Sequence, residues 1–525
     1  MVTTAYQLVI DWDNNGSYAG TYDDVSSDTL QIQYRRGRDY ASQVSGNSTA
    51  GKLTAYLNNE GGKYSPSNAA SVLSGNLTVG RPVQFRIGPT GDFPYVFPAE
   101  FSEEAVPMWT GKLESIIPEP SGTGLNRVVL TAVGPLGYLN DQIPITEQET
   151  NIRTDEAIGK VLDKAGWPLA ERDLDVGQTS MVRWWSDSDS TITALRVVEE
   201  TENGFVKEKA NGYIGFESRN TRLLPPYVTP VATFSDASTA PYTYLQLEQK
   251  DPLETIINRF DASYRSYSSI GIVDLWTFPD TGADSPLVVS GETLQVIAEY
   301  PNTSSAPEAV AVSAWQNPLA YTDITANTDP NGTGNDATGS LVITQTKVAN
   351  QMRIAITNNY DENGTGKNVY LTMLKARGTP VTLRDNSLVT QEDLFSISKY
   401  GERKFTADTP FFPTLSNAQS WCNYNIQMYS TPINVMTMTF SANVSQNNMN
   451  AATQFDISDR ITLVATANAE LGVNEDFFIE EVNHSITDGG QVHMVTYKLS
   501  PAESGYTQFW KLDAGALGST TVPAY

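Results

Sequence analysis

The chain has 525 residues, more than one hydrophobic core usually organises, and a scale of about 150 residues per domain points to three or four domains. Its 34 Lys and Arg against 60 Asp and Glu leave a formal charge of −26, so the basic footprint that sequence-independent nucleic-acid binding requires is missing. A lone cysteine, Cys422, excludes an intramolecular disulfide and a thiolate metal cluster, and the wealth of aromatic, Thr, Asn, Gly and Pro residues favours strands joined by turns.

The opening MVTTAYQLVIDWD has no basic stretch followed by a long apolar run, and no 18-residue apolar run occurs later. Neither an export signal nor a transmembrane segment is expected, and synthesis in a cytoplasm follows. Residues 5–12 and 28–34 alternate apolar and polar side chains, as do Lys52–Leu57, Pro82–Ile87, Trp109–Ile117 and Val128–Ala132. This period of two marks half-buried strands and predicts a barrel or sandwich over about 1–145.

The period then changes. Ile158, Val161, Leu162 and Ala165 recur at helical spacing behind the acidic first turn of Thr154-Asp155-Glu156, and Gly166 stops the helix. A second helix over Thr191–Thr201, a turn at Asn211-Gly212 and a strand at Tyr213–Phe216 complete a small α+β domain, 146–225. Alternation resumes at Tyr242–Gln249 and Thr255–Tyr264. From 288 to 383 a Thr-, Val-, Asn- and Gly-rich stretch, punctuated at Asp329-Pro330-Asn331-Gly332 and Asn363-Gly364, reads as a β-sandwich inserted into a second barrel. A helix near Thr414–Tyr429 precedes strands at Ile433–Val444, Ile461–Ala465, Phe477–Ile486 and Val492–Leu499. The remainder, 501–525, is a Gly-rich extension anchored by Phe509, Trp510 and Tyr525.

Chemistry-bearing patterns are few. His484 and His493, the two histidines, lie in strand patterns without the spacing of a zinc site or a nucleophile elbow, which favours strand-surface or core positions. Cys422 reads as a small buried apolar residue. Gly46-Asn47-Ser48-Thr49-Ala50-Gly51-Lys52 has phosphate-loop spacing, but Leu53 stands where a magnesium-binding hydroxyl belongs and a strand follows where a helix should. It reads as a turn. Asp11, Asp13 and Asn15 with Gly16 match the first half of a Ca2+ loop, although position twelve is Tyr22 and no bidentate Glu follows. A hairpin tip accounts for the same residues. Arg35, Arg36 and Arg38 form the densest basic cluster and fit either a solvated strand end or an interface with acidic residues of a neighbouring subunit.

Five stretches resemble one family. They are Tyr34–Asp39 with Ala50–Thr54, Leu57–Pro66 and Gly80–Val83; Trp109–Glu114 with Thr131–Leu136; Arg153–Pro168 with Gly212–Arg219; Lys375–Pro380 with Ser396–Arg403; and Gly472–Ile486 with Leu517–Tyr525. In order over the chain they resemble the minor tail or tail-hub proteins of tailed bacteriophages, which are related in architecture to the baseplate hubs of contractile tails. The resemblance implies a mainly β fold with a small α+β domain: a first tube-like β-barrel at 1–145, a second at 226–287 and 384–500, and the β-sandwich inserted at 288–383.

It further implies a non-enzymatic structural protein at the distal end of the virion's tail, commonly a homotrimer whose two barrels per chain present a six-fold face. Implied partners are a distal tail protein or tail-tube ring, a central fibre or tip protein and a tape measure protein. The hub would anchor receptor-binding parts and open for DNA passage, and an acidic wall would keep DNA from adhering. No cofactor is implied beyond the Ca2+ considered above. A carbohydrate-binding fibre or spike component, and a wall-degrading tail protein, are the rival readings.

Overall fold

The computed structural model describes residues 3–38, 48–88, 105–122, 125–187, 190–249, 252–278, 285–300, 309–407, 411–468, 471–502, 509–510 and 522–523. Six strands come first: β1 (Tyr6–Ile10), β2 (Thr29–Arg38), β3 (Ser48–Asn58), β4 (Pro82–Ile87), β5 (Val106–Glu119) and β6 (Arg127–Val133). They lie antiparallel in the order β1-β4-β5-β6-β3-β2. Alternation decides which side chains enter the lobe: Val83, Phe85 and Ile87 of β4 join Tyr34, Leu53, Trp109 and Leu130 in one core. The lobe curls closed through the segment leading into β2, where Val25 N donates to Leu8 O at 3.0 Å and Ile10 N to Asp23 O at 2.9 Å.

The small α+β unit contributes helix α1 (Thr154–Lys164), helix α2 (Thr191–Glu202) and the hairpin β7 (Phe205–Glu208) and β8 (Ile214–Glu217). Glu156 accepts the Arg153 amide at 3.0 Å and Ser190 accepts the Thr193 amide at 3.2 Å, so both helix starts are capped. Ile158, Val161 and Leu162 pack with Leu195, Val198 and Phe216, as their spacing predicts.

Beyond this unit come β9 (Ala232–Ser235) and β10 (Gln246–Gln249), then the long strands β11 (Arg259–Ser269) and β12 (Val369–Glu392). Helix α3 (Leu415–Tyr429), β13 (Met436–Ser441), helix α4 (Gln446–Gln454), β14 (Arg460–Ala465), β15 (Val473–Thr487) and β16 (Val492–Pro501) follow. A second lobe forms from β10, β13, β16, β15, β14 and β9 in that order. It closes because Tyr242-Thr243, just ahead of β10, pairs with Phe234-Ser235 of β9. Met449, Ala451 and Ala452 of α4 join its core.

The two lobes are not separate barrels. β2 pairs antiparallel with β15 from Gln31↔Thr487 to Gly37↔Glu481, which makes them, with the two-residue strand Tyr242-Thr243, one 13-stranded sheet. The expected insertion boundaries also move. β11 and β12 pair with each other and anchor a seven-stranded sheet, so 259–278 and 384–407 belong with the sandwich and not with the second lobe. A period of two records which face of a strand is buried but not which sheet it joins, and β12 runs unbroken across the expected edge at 383. The sandwich's second layer is a three-stranded sheet of Thr293–Glu299, Leu341–Lys347 and Gln351–Asn358, and Val312, Leu371, Ile354 and Ile356 share the core between the layers. Among the described residues no helix is long and apolar enough to cross a membrane. Most of the 501–525 extension, including the Phe509, Trp510 and Tyr525 side chains, lies outside the described residues.

Gly37 sits on the seam with φ +128°, and a Cβ there would lie 2.2 Å from Glu480 O and 2.6 Å from Glu481 Cα. Both neighbours are backbone and cannot swing away. Gly37→Ala is expected to cost about 3 kcal/mol through strain and overpacking, read as a lower urea midpoint by tryptophan fluorescence; an unchanged midpoint would mean that the seam is pliable.

Candidate functional site

The basic cluster of β2 meets the acidic groups of β15, the small domain and the loop before β14. Strand alternation sends Arg35 to solvent and Arg36 and Arg38 inward. Arg36 Nε donates to Met108 O at 3.1 Å, Nη1 to Glu208 O at 3.2 Å and Nη2 to Asp456 Oδ1 at 2.9 Å. Arg38 grips Glu480 with Nε at 2.6 Å from Oε2 and Nη2 at 3.1 Å from Oε1, and its guanidinium lies 4.3 Å from the centre of the Phe205 ring. On the other side of the same carboxylate, Arg222 donates at 2.5 and 3.0 Å, and Ser500 Oγ donates at 2.6 Å. Glu217 extends the network through Lys207, Ser458 and Arg222.

Glu480 has no exposure to water. Burial alone would raise its pKa; the charges of Arg222 and Arg38 overcome that and hold the carboxyl well below its usual range. Glu208 and Glu199 show the opposite balance. Burial pushes both up to about 7, although Glu208 accepts the Leu136 amide at 2.7 Å and the Gly51 amide at 2.8 Å, and Glu199 accepts the Val206 amide at 2.9 Å.

These contacts correct one expectation. Arg36 and Arg38 find their acidic partners within this chain, not on a neighbouring subunit; Arg35 alone of the three is exposed. The sequence displays the basic density, but the facing carboxylate is 442 positions away.

The two histidines are neighbours across β15 and β16. His484 Nδ1 and His493 Nε2 share a hydrogen bond at 2.9 Å, His493 Nδ1 reaches Thr4 Oγ1 at 2.9 Å, and the His484 ring stacks on Tyr34 at 4.5 Å. Burial depresses both, His493 to about 3 and His484 well below the ordinary imidazole value with help from His493 and Arg36. Neutral and sealed from solvent, the pair pins residue 4 to the second lobe. Cys422 is also buried, and burial pushes its thiol up to about 12.

In the Asp11 loop, Asp11 Oδ1 accepts the Asn15 amide at 3.0 Å and Oδ2 the Gly16 amide at 2.8 Å, while Asn15 Nδ2 donates to Asp13 Oδ2 at 2.9 Å. The three expected ligands therefore hold a turn, with Asn14 and Gly16 at positive φ. Among the described residues no group of three or more His, Cys, Asp or Glu side chains is arranged to hold a metal. Of the phosphate-loop string, Gly46 and Asn47 lie outside the described residues; Lys52 and Leu53 continue β3, and Gly51 donates to Glu208.

Sequence reasoning missed a cleft of about 440 Å³ between the small domain and the sandwich, lined by Trp184, Trp185, Asp187, Arg265, Tyr267 and Phe411 among others. The adjacent pair Trp184-Trp185 was the available signal.

No family model matches the sequence, and no curated protein matches it. Among solved structures, the tail protein from Neisseria meningitidis MC58 superposes with a TM-score of 0.50 over 96% of this chain and 98% of that one, at 8% identity. The 43 kDa tail protein of prophage MuSo2 from Shewanella oneidensis gives 0.46 over 95% and 99% at 9% identity, and prophage tail protein gp18 from Listeria monocytogenes EGD-e gives 0.38 over 94% and 94% at 8%. The first likeness establishes a shared fold.

Two outcomes are expected from this geometry. Glu480→Gln leaves two guanidiniums facing a neutral buried amide and should cost about 3–5 kcal/mol in denaturant unfolding, whereas a loss under about 1 kcal/mol would show that water relieves the charges. For the histidines, His493 binds its proton near 3 in the folded chain against about 6.5 unfolded. Their contribution is complete above pH 6.5 and is lost as the pH falls from there toward 3. Glu199 and Glu208 act in reverse, since their raised values contribute stability that is lost as pH rises from about 4.5 through 7. The wild type should therefore lose stability on acidification more steeply than His493→Gln, which retains both carboxyls; parallel midpoint curves from pH 7 to 4 would refute the assignment.

Proposed function

We propose that this chain is a structural, non-catalytic subunit of a phage-type tail, the hub that closes the distal end of the tail tube in the virion. The observation that carries the reading is the pair of six-stranded lobes joined edge to edge through β2 and β15. Three such chains in a ring supply six similar lobes, which can meet a six-fold tube face although the hub has only three copies. The fold shared with a tail protein over nearly the full length of both chains supports the same assignment.

In this reading one face of the trimer docks on the distal-tail or tube ring, and the other carries the central fibre or tip protein. The tape measure protein ends against the closed lumen, which opens to pass DNA. The net charge of −26 suits a wall that must not retain a polyanion.

Mass photometry of the purified chain, followed by negative-stain imaging, tests the assembly. Particles of three 57.3 kDa copies arranged around a central channel are expected. An elongated trimer without a channel would instead favour a fibre or spike.

A further inference from the structure

We infer that the outer face of the joined sheet beside the seam, where Arg35, Lys52 and Lys112 stand in one row, receives an acidic polypeptide segment in extended conformation. Register builds the row: Asn483 of β15 lies opposite Arg35 of β2, Arg35 opposite Lys52 of β3, Lys52 opposite Val133 of β6, and Val133 opposite Lys112 of β5. Their chain neighbours Tyr34, Leu53, Ala132 and Leu113 point into the core of the first lobe, so alternation turns the row outward. Arg35, Lys52, Lys112 and Asn483 are all exposed.

A guanidinium and an ammonium directly opposite each other on neighbouring strands repel, and such a pair is destabilising by itself. Neither Arg35 nor Lys52 makes a hydrogen bond or ion pair that would offset the repulsion, although acidic residues outnumber basic ones by 60 to 34 in this chain. Lys112 is steadied by the Tyr138 ring, whose centre lies 4.6 Å from its ammonium. The next row on the same face, Ser485, Gln33, Thr54, Thr131 and Ser115, is uncharged. The carboxylates nearest in register border the strip. Glu114 sits exposed at the bulge beyond Lys112, and Glu481 is buried and accepts Lys498 at 3.1 Å. The strip thus presents positive charge and neutral hydrogen-bonding groups with no counter-charge of its own, the pattern of a surface completed by an anionic partner.

Spacing and charge select the partner. Neighbouring strands lie about 4.8 Å apart, so Arg35 and Lys112, three strands from each other, are separated by about 14 Å. Side chains on one face of an extended segment recur about every 6.8 Å, so three alternate carboxylates cover the same length. Arg35 offers a planar fork to one of them and the lysines offer point charges to the others. Gln33, Thr54 and Asn483 are placed to bond the peptide groups between. A nucleic acid carries a charge on every nucleotide and would be repelled by the chain's net −26 beyond the strip. A second folded copy would bring the same −26 against it. The inference does not depend on the hub reading.

Fluorescence anisotropy of a short labelled peptide of alternating Glu and Thr, titrated with the full chain, tests it, with the alternating Gln and Thr peptide as the neutral counterpart. The expected result is saturable binding at about 20 mM salt, binding at least about tenfold weaker for the Gln peptide, and weakening as salt rises to about 200 mM. Arg35→Glu combined with Lys52→Glu should weaken the acidic peptide at least about tenfold while circular dichroism stays unchanged. Lys52→Gln alone should weaken it about threefold and raise the urea midpoint, since it removes the repulsion with Arg35. Absence of saturable binding to the wild type up to roughly 0.2 mM chain would overturn the inference. So would equal affinity for the Gln peptide, or unchanged affinity in the folded variants. Tighter binding of an oligothymidylate would make the strip a nucleic-acid surface, and a changed particle mass of the double variant in mass photometry would make it a contact between copies; either result overturns the acidic-segment assignment.

Discussion

Glu480, buried without exposure, is held by guanidiniums that arrive from β2 and from the small domain's outgoing chain. A carboxylate taken out of water is costly unless its lone pairs are filled, and here Arg38, Arg222 and Ser500 fill them. The three donors come from the first lobe, from the chain leaving the small domain and from the second lobe. The clamp therefore does more than stabilise one contact: it joins three units at one buried point. Phe205, under the Arg38 guanidinium, and Phe478, 4.9 Å from Arg222, shield it from solvent.

The β2–β15 seam follows from that constraint. Two curled sheets would each leave an exposed edge, and pairing those edges removes the unpaired amides and carbonyls that invite aggregation. Because the same strands carry Arg36, Arg38 and Glu480, the hydrogen-bonded register and the ionic register have to agree, and Gly37 admits the close approach that both need. The sandwich is tied to the small domain through bonds such as Arg183 to Ser269, Ala349 N to Thr146 O at 2.8 Å and Phe411 N to Thr201 Oγ1 at 3.0 Å, and through Trp185 packed with Ala311, Ala349 and Val381. The aromatic cleft opens at that junction.

Buried titratable groups around the seam respond to protons in opposite senses. The His484–His493 pair favours the folded state when it is neutral, and Glu199 and Glu208 favour it when they are protonated. Between about pH 4.5 and 6.5 these tendencies partly cancel, while the charges of Arg222 and Arg38 keep the Glu480 clamp ionised.

Alternation and helical spacing by themselves determined the strands at Pro82–Ile87, Arg127–Val133 and Arg460–Ala465 and the helices at Thr154–Lys164 and Leu415–Tyr429, since periodicity is a local property of the chain. Helix α4, with its polar Gln446-Asn447-Asn448 start and small alanines, escaped because its helicity depends on a core it helps to fill. The acidic partners of Arg36 and Arg38, the pairing of His484 with His493, the true limits of the sandwich and the cleft at Trp185 were decided by tertiary structure alone. Each depends on which distant segment lies opposite, and a pattern of period two carries no information about partners hundreds of residues away.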